Sequence, residues 1–319
     1  MSFVHVTNDN CVGGVQTMTR LFMSRYNEDK HIYIFDQNLS SLFFKYIYFF
    51  IFIFRLFLSA IVYKRSVFIF SMWPVCFLSF IPIILGRKVV VCIHSFIELE
   101  RSTVVWFLKC ICNFAPLSKR ITICSTSESI HDRLRFLGIH SAAKMSVVAF
   151  GDRPKSFYRK PDSNTIRIAW VGRNDFVKDI FFLPSVINVI SRSYSSCEVY
   201  VFGVSDLDWV KNKPINVTYF PLGYESFSKS NIPLDILVNT SITENAPISV
   251  LEALAKGMIV IAPPLGEILL WSYLTKNIVI YDKAMIDSFR YLPRGIVHVP
   301  VDFLSEFTVE AQRHVLCRI

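Results

Sequence analysis

Residues Thr243–Pro263 read TENAPISVLEALAKGMIVIAP, and the order of chemistry along this stretch decides the fold. Pro247 suits the first helical position, because the N–H it lacks is one that a helix start leaves unbonded anyway. An apolar helical stretch follows, then a small-residue turn, then the β-branched run MIVIAP, which suits a buried strand. Two glutamates stand out. Glu244 lies beside the helix start, where the amides of Ile248, Ser249 and Val250 are donors without intrahelical acceptors. Glu252 lies inside the helix on one face with Ser249 and Lys256, while Val250, Leu251, Ala253 and Leu254 line the others. An ion pair between Glu252 and Lys256 on a solvated face accounts for Glu252 and leaves Glu244 unexplained.

The same rhythm extends outward in both directions. FVHVT, HIYIF, SVFIF, KVVVCI, RITIC and KMSVVAF form one set of strand-like runs, and TIRIAWVG, CEVYVFG, INVTYFP, LDILVN and MIVIAP form a second. Short β-branched runs alternating with helical patterns predict α/β architecture, with parallel sheets covered by helices on both faces. Between the sets lies GDRPKSFYRKPDSN (Gly151–Asn164), with two prolines and a dense run of charge. It divides the chain into domains 1–155 and 156–319.

The chain has 319 residues, enough for two domains; 52% are hydrophobic and 18% charged, a greasy balance for a soluble protein. No basic, apolar and small-residue succession marks a signal peptide at the N-terminus, so a cytoplasmic location is expected. The eight cysteines lack paired CxxC spacing and sit mostly in apolar runs, which reads as reduced, buried thiols. No histidine pair at helical spacing signals a metal.

Charge is uneven. Residues 1–160 hold 20 Lys+Arg against 9 Asp+Glu, a net +11, so the first half is expected to meet something anionic. Within LFFKYIYFFIFIFRLFLSAIV (Leu42–Val62), Lys45, Tyr48, Phe52, Arg55 and Ser59 form a weakly polar stripe. That pattern fits a helix lying in a membrane interface with Lys45 and Arg55 at headgroup depth, or a buried amphipathic helix whose basic residues snorkel outward. No nucleic-acid-binding signature accompanies the charge. The uncharged run Ser66–Gly86 is long enough to span a bilayer, but its punctuation by Pro74 and Gly86 reads better as strand, helix, strand.

Ligands of doubly wound sheets bind at the carboxyl ends of strands, and candidates collect there. Gly13 and Gly14 follow the first strand and open a helix, a place for an anion. His94 ends the fourth strand. Arg173 and Lys178, in AWVGRNDFVKD, follow the first strand of the second set, two cations suited to a pyrophosphate or two solvated loop charges.

ENAPISVLEALAKGMIVIAP resembles the E-x7-E signature of retaining GT-B glycosyltransferases of the family four type. Other segments are similar in family order: the glycine pair at 13 and 14, His94 closing VVVCIH, CSTSESIHDRLRFLGI as the serine-rich strand-to-helix turn, MSVVAFGDRPKSFYRK as the hinge, and VGRNDFVKD as the phosphate loop. The resemblance implies a GT-B fold of two Rossmann-like, doubly wound domains facing across a cleft, with the last helix returning to the first domain. It implies transfer of a hexose-type sugar from a nucleotide-sugar donor, UDP-sugar foremost, with retention and without metal or other cofactor. Arg173 and Lys178 would neutralise the leaving diphosphate, helped by the amides at Ile248, Ser249 and Val250, with Gly13 and Gly14 allowing close approach. Glu252 would accept from the ribose hydroxyls, Glu244 would hold the transferred sugar, and His94 would lie near the anomeric centre. The acceptor would be a lipid-linked or lipopolysaccharide-core saccharide at the cytoplasmic face of an anionic inner membrane.

Departures from the pattern are also legible. Asn245 and Ala246 replace the usual Gly-Phe pair, and the downstream glycine pair is reduced to Gly266 followed by Glu267. DLD (Asp206–Asp208) mimics a metal-binding DxD and is read instead as a helix cap. A nucleotide-sugar epimerase of related fold and a noncatalytic membrane component of polysaccharide assembly are the competing readings.

Overall fold

The computed structural model describes residues 2–9, 14–35, 42–71, 75–94, 99–113, 119–139, 142–155, 158–159, 165–211, 213–288, 297–298 and 300–318. The chain divides into two compact units, Met1–Asp152 with Glu306–Ile319, and Arg153–Ser305.

The first unit runs β1 (Phe3–Asp9), α1 (Gly14–Arg25), β2 (Lys30–Phe35), α2 (Leu42–Val62), β3 (Val67–Ser71), α3 (Phe80–Ile84), β4 (Val89–Ile93), α4 (Ser102–Asn113), β5 (Ile121–Ser125), α5 (Glu128–Phe136) and β6 (Ala142–Lys144). Its six strands are all parallel, in the order β2-β1-β3-β4-β5-β6. Side chains alternate between the faces as the pleat requires. Val4, Val6, Phe68, Phe70, Val91 and Ile123 join one core with residues of α2, α3, α4 and α5. Phe3, Ile69, Val90, Cys92 and Cys124 join the other with Met18 and Phe22 of α1.

Three readings change here, and a fourth holds. KMSVVAF is not the sixth strand, which lies just before it at Ala142–Lys144; the apolar residues Val147, Val148 and Ala149 are buried in irregular chain instead. The stripe on α2 is not a polar face, because Phe52 is buried and the outward face is itself apolar. The strand, helix, strand reading of Ser66–Gly86 holds: the run folds as β3, a 3-10 turn and α3 ahead of β4, with Pro74 outside the described residues. Among the described residues no helix is long and apolar enough to cross a membrane. Finally, Cys110 and Cys317 are exposed rather than buried.

The second unit contains β7 (Tyr158–Arg159), β8 (Thr165–Val171), α6 (Leu183–Ser191), β9 (Ser196–Phe202), β10 (Val217–Pro221), β11 (Ile236–Val238), α7 (Ile248–Ala255), β12 (Ile259–Ala262), α8 (Gly266–Leu274), β13 (Ile278–Ile280), β14 (Val297–His298) and α9 (Val301–Ser305). Six strands form a parallel sheet, β10-β9-β8-β11-β12-β13, and β7 pairs antiparallel with β14. The sheet buries Ile168, Trp170, Val199, Val201 and Ile261 against Leu183, Val186 and Ile190 of α6. β13 was not anticipated from the sequence.

The terminal segment FLSEFTVEAQRHVLCRI is two helices rather than one. α9 ends at Ser305, and α10 (Val309–Arg318) begins after Thr308, whose hydroxyl accepts from the Ala311 amide at 3.3 Å as an N-cap. Val309 and Leu316 of α10 belong to the core of the first unit, beside α1.

Candidate functional site

In the second sheet, β8 lies between β9 and β11, so the chain reverses its direction of winding between them. The crevice outside the carboxyl ends at such a switch point is where open α/β sheets bind ligands. The loop after β8 carries Gly172–Lys178, and the loop after β11 carries Asn239–Glu244.

These loops are zipped together. Lys178 Nζ donates to Glu244 Oε1, and the Ser241 hydroxyl donates to the same oxygen at 2.8 Å. The Thr240 hydroxyl donates to Lys178 O at 2.8 Å and accepts from Trp170 Nε1 at 2.8 Å. The Ile242 amide donates to Val177 O at 2.8 Å. Behind the pair, Lys283 Nζ donates to Asp179 Oδ2 at 2.9 Å and to Thr240 O at 2.5 Å. Asp179 needs that support, because its φ of 43° and ψ of 56° lie in the left-handed region, at about 1–2 kcal/mol for a residue with a Cβ.

Two glycines let backbone pass backbone. A Cβ on Gly203, at φ +92°, would collide with the Gly172 carbonyl. A Cβ on Gly266, at φ +48°, would collide with the carbonyls of Glu244 and Asn245, and the next amide, Glu267, donates to Asn245 O at 2.7 Å. The Gly266 turn therefore clamps the loop that carries Glu244.

Helix α7 opens beside this loop and differs from the sequence expectation in two respects. Pro247 is the N-cap, extended at φ −71° and ψ 117°, so the helix starts one residue later. The Val250 amide is not an open donor, since it reaches Pro247 O at 3.1 Å; Ile248 and Ser249 supply the first-turn amides. Glu252 is no solvated partner of Lys256. Burial pushes the Glu252 carboxyl up to about 7, with the charge of Lys256 pulling the other way. Lys256 turns its Nζ to Ser230 O at 2.9 Å and over the Phe227 ring.

Arg173 does not join Lys178. Its guanidinium lies 3.2 Å from Asp175 Oδ2 and its side chain is 75% exposed. Asp175 connects the two, accepting from the Lys178 amide at 3.0 Å.

In the first unit, His94 follows β4, and burial pushes its imidazole down to about 4, so the ring is neutral at neutral pH. Gly14 opens α1, whereas Gly13 and the side chain of Lys45 lie outside the described residues. Arg55 is exposed on α2. Asp206–Asp208 caps no helix: it sits in a turn where Asp206 O accepts from Trp209 Nε1 at 3.2 Å.

Sequence reasoning missed Thr240, Ser241, Asp179 and Lys283. A polar triplet directly after the β-branched run of β11 was the available signal for the first two. Lys283 carries no such signal, because it reaches the site from 104 positions beyond Asp179.

Compared with solved structures, the chain is similar over its whole length to HepE from Anabaena in complex with UDP-glucose. The TM-score is 0.64 at 12% identity, covering 100% of this chain and 99% of that one. The fold is GT-B. A lipopolysaccharide outer core galactosyltransferase, WaaB, is similar at TM-score 0.55 and 11% identity, over 100% of this chain and 98% of its own. WaaG, a glycosyltransferase of lipopolysaccharide biosynthesis, gives 0.53 and 12%, over 98% and 94%. These GT-B neighbours share the architecture at identities that speak for the fold alone. No protein-family model matches the chain, and no curated protein does.

Proposed function

We propose that the protein is a glycosyltransferase that takes a hexose-type sugar from a UDP-sugar and passes it, with retention, to a lipid-linked or lipopolysaccharide-core saccharide. The observation that carries this reading is the Lys178–Glu244 pair at the switch point of the second sheet, beside the first-turn amides of α7, on the helix that also carries the half-buried Glu252. Three binding chemistries converge there. Lys178, with the Ile248 and Ser249 amides, suits a diphosphate whose charge grows as it leaves. Glu252, ionised, accepts from the two hydroxyls of a ribose. Glu244 accepts from hydroxyls of the transferred sugar while Lys178 is drawn toward phosphate. Arg173, 75% exposed and paired with Asp175, can turn toward the same charge.

The GT-B neighbours support the choice of donor, since HepE is described with UDP-glucose and WaaB as a galactosyltransferase. Retention and independence from metal are part of the proposal. The first is tested by the anomeric configuration of the product, and the second by turnover in EDTA.

The deciding experiment is thermal unfolding with UDP, GDP and ADP and their sugars, with wild type beside Lys178→Ala and Glu252→Ala. A nucleotide at 100 times its Kd adds about 2.7 kcal/mol to the native state. UDP or a UDP-sugar stabilising the wild type and neither variant supports the site. No shift with any nucleotide would leave a fold without this function.

A further inference from the structure

We propose that the outer face of α2, together with α3, docks the first unit onto an anionic lipid surface. α2 is buried along one side only, where Phe52, Leu56 and Ala60 enter the core. Among the described side chains its other side is mostly apolar. Phe50 is 69% exposed, Phe54 61% and Val62 68%, with Phe57, Leu58 and Ile61 also open to solvent. Phe80 and the 71% exposed Ile84 of α3 add to the patch. A groove of about 490 Å³ between the helices is lined by apolar side chains alone, among them Ile53, Phe54, Phe57 and Phe80. A contiguous aromatic face of this kind on a soluble unit marks a surface that meets something apolar.

The charges around it identify what. Residues 37–97 contain six Lys and Arg and no Asp or Glu. Arg55 is exposed on α2 itself, Lys64 and Arg65 are exposed in the turn that follows it, and Lys88 is exposed just before β4. Arg87 is turned inward: its Nε donates to Ala60 O at 2.7 Å and its Nη1 to Lys64 O at 3.3 Å, fastening the carboxyl end of α2. An apolar face whose own segment carries cations and no acid matches acyl chains below a plane of anionic headgroups. It does not match a second copy of the chain. Two-fold pairing would set this surface against itself, bringing cation to cation with no acid in the segment to neutralise them.

The docking does not depend on the reaction proposed for the second unit, and the two fail separately. Full-length protein is to be sedimented with vesicles of phosphatidylcholine, with and without phosphatidylglycerol, at low and high salt. Wild type is expected to bind the phosphatidylglycerol vesicles and to be released by salt. Phe54→Asp/Phe57→Asp changes two exposed positions and is expected to stay in solution, with an unchanged Tm. Arg55→Glu/Lys64→Glu/Arg65→Glu is expected to bind the anionic vesicles at least about tenfold more weakly, as near-surface cations contribute roughly a factor of five each. Wild type remaining in solution with every vesicle would overturn the proposal, as would undiminished binding of either variant. A wild-type dimer that Phe54→Asp/Phe57→Asp dissociates, without vesicle binding, would assign the face to a second copy instead.

Discussion

Lys178 and Glu244, 66 positions apart, form an ion pair where the loops after β8 and β11 meet, with side chains only 22% and 12% exposed. Each is the main neutraliser of the other. Lys178→Ala would leave a nearly buried carboxylate with the Ser241 hydroxyl as its remaining side-chain donor among the described residues, a loss of about 3–5 kcal/mol. Glu244→Gln keeps an acceptor for both partners and should cost less. Urea unfolding of the two variants checks the order. On the proposed mechanism, both should also lower kcat/KM by about a hundredfold or more, since each meets the donor.

Glu252 ties stability and binding to pH. Its folded-state carboxyl is raised from the ordinary 4.5 to about 7, so the folded form prefers the proton and the ionised form is penalised. The penalty is absent below the ordinary value, grows as pH rises through the interval, and is complete above about 7, at no more than about 3 kcal/mol. Glu252→Gln should therefore raise the Tm at pH above 7 and leave it unchanged at acid pH. Nucleotide affinity should move oppositely in the wild type, weakening as pH falls below about 7 because a protonated carboxyl no longer accepts from both ribose hydroxyls. Calorimetric titration with UDP across that range checks it. A flat profile in the wild type would remove the carboxylate from the ribose.

Gly266 separates geometry from stability. An alanine there meets both a left-handed φ and the carbonyls of Glu244 and Asn245, so the turn must shift by moving the Glu244 loop. Gly266→Ala is expected to cost about 1–3 kcal/mol and to weaken UDP-sugar binding far more than UDP binding. Gly203→Ala should destabilise by a similar amount, through the Gly172 carbonyl, without that selectivity. Comparing Tm with the two affinities distinguishes them.

Much of this was legible in the sequence because strand ends are marked locally. The run TIRIAWV stops at Gly172 and LDILV stops at Asn239, so Lys178 and Glu244 could be placed at carboxyl ends before any contact between them was known. Spacing could not say which charges would pair. Arg173 is nearer Lys178 in sequence than Glu244 is, yet it turns to Asp175, because only the β8–β11 pairing brings the second loop into reach. Lys283 was illegible for the same reason. The face of α2 was legible only in part, for another reason: the stripe grouped Phe52 with Arg55, and Arg55 is exposed as either reading requires, whereas Phe52 goes inward because it stands in register with Leu56 and Ala60. The break before α10 rests on a single threonine cap, which helical periodicity alone passes over.

Arg313 holds α10 to the start of the chain, and its replacement is the most severe of the predicted losses outside the site. The guanidinium donates to Asp29 Oδ2 at 2.7 Å and to Glu28 Oε1 at 2.8 Å, and it lies 3.6 Å from the centre of the Tyr26 ring. Burial alone would push the Asp29 carboxyl up, but the His5 ring, the Phe3 amide and Arg313 together outweigh it and hold it below its ordinary 3.8. A depressed carboxyl contributes stability that is present above its ordinary value and is lost as pH falls through the folded one. Lysine keeps the charge but loses the planar fork and the stacking, so Arg313→Lys should destabilise by about 2 kcal/mol and Arg313→Ala by about 3–5. With less to hold Asp29 ionised, both variants should begin to unfold at a higher pH than wild type on acidification. Circular dichroism followed between about pH 2 and 5 reads this directly, and coincident acid transitions would show that Asp29 gains nothing from Arg313.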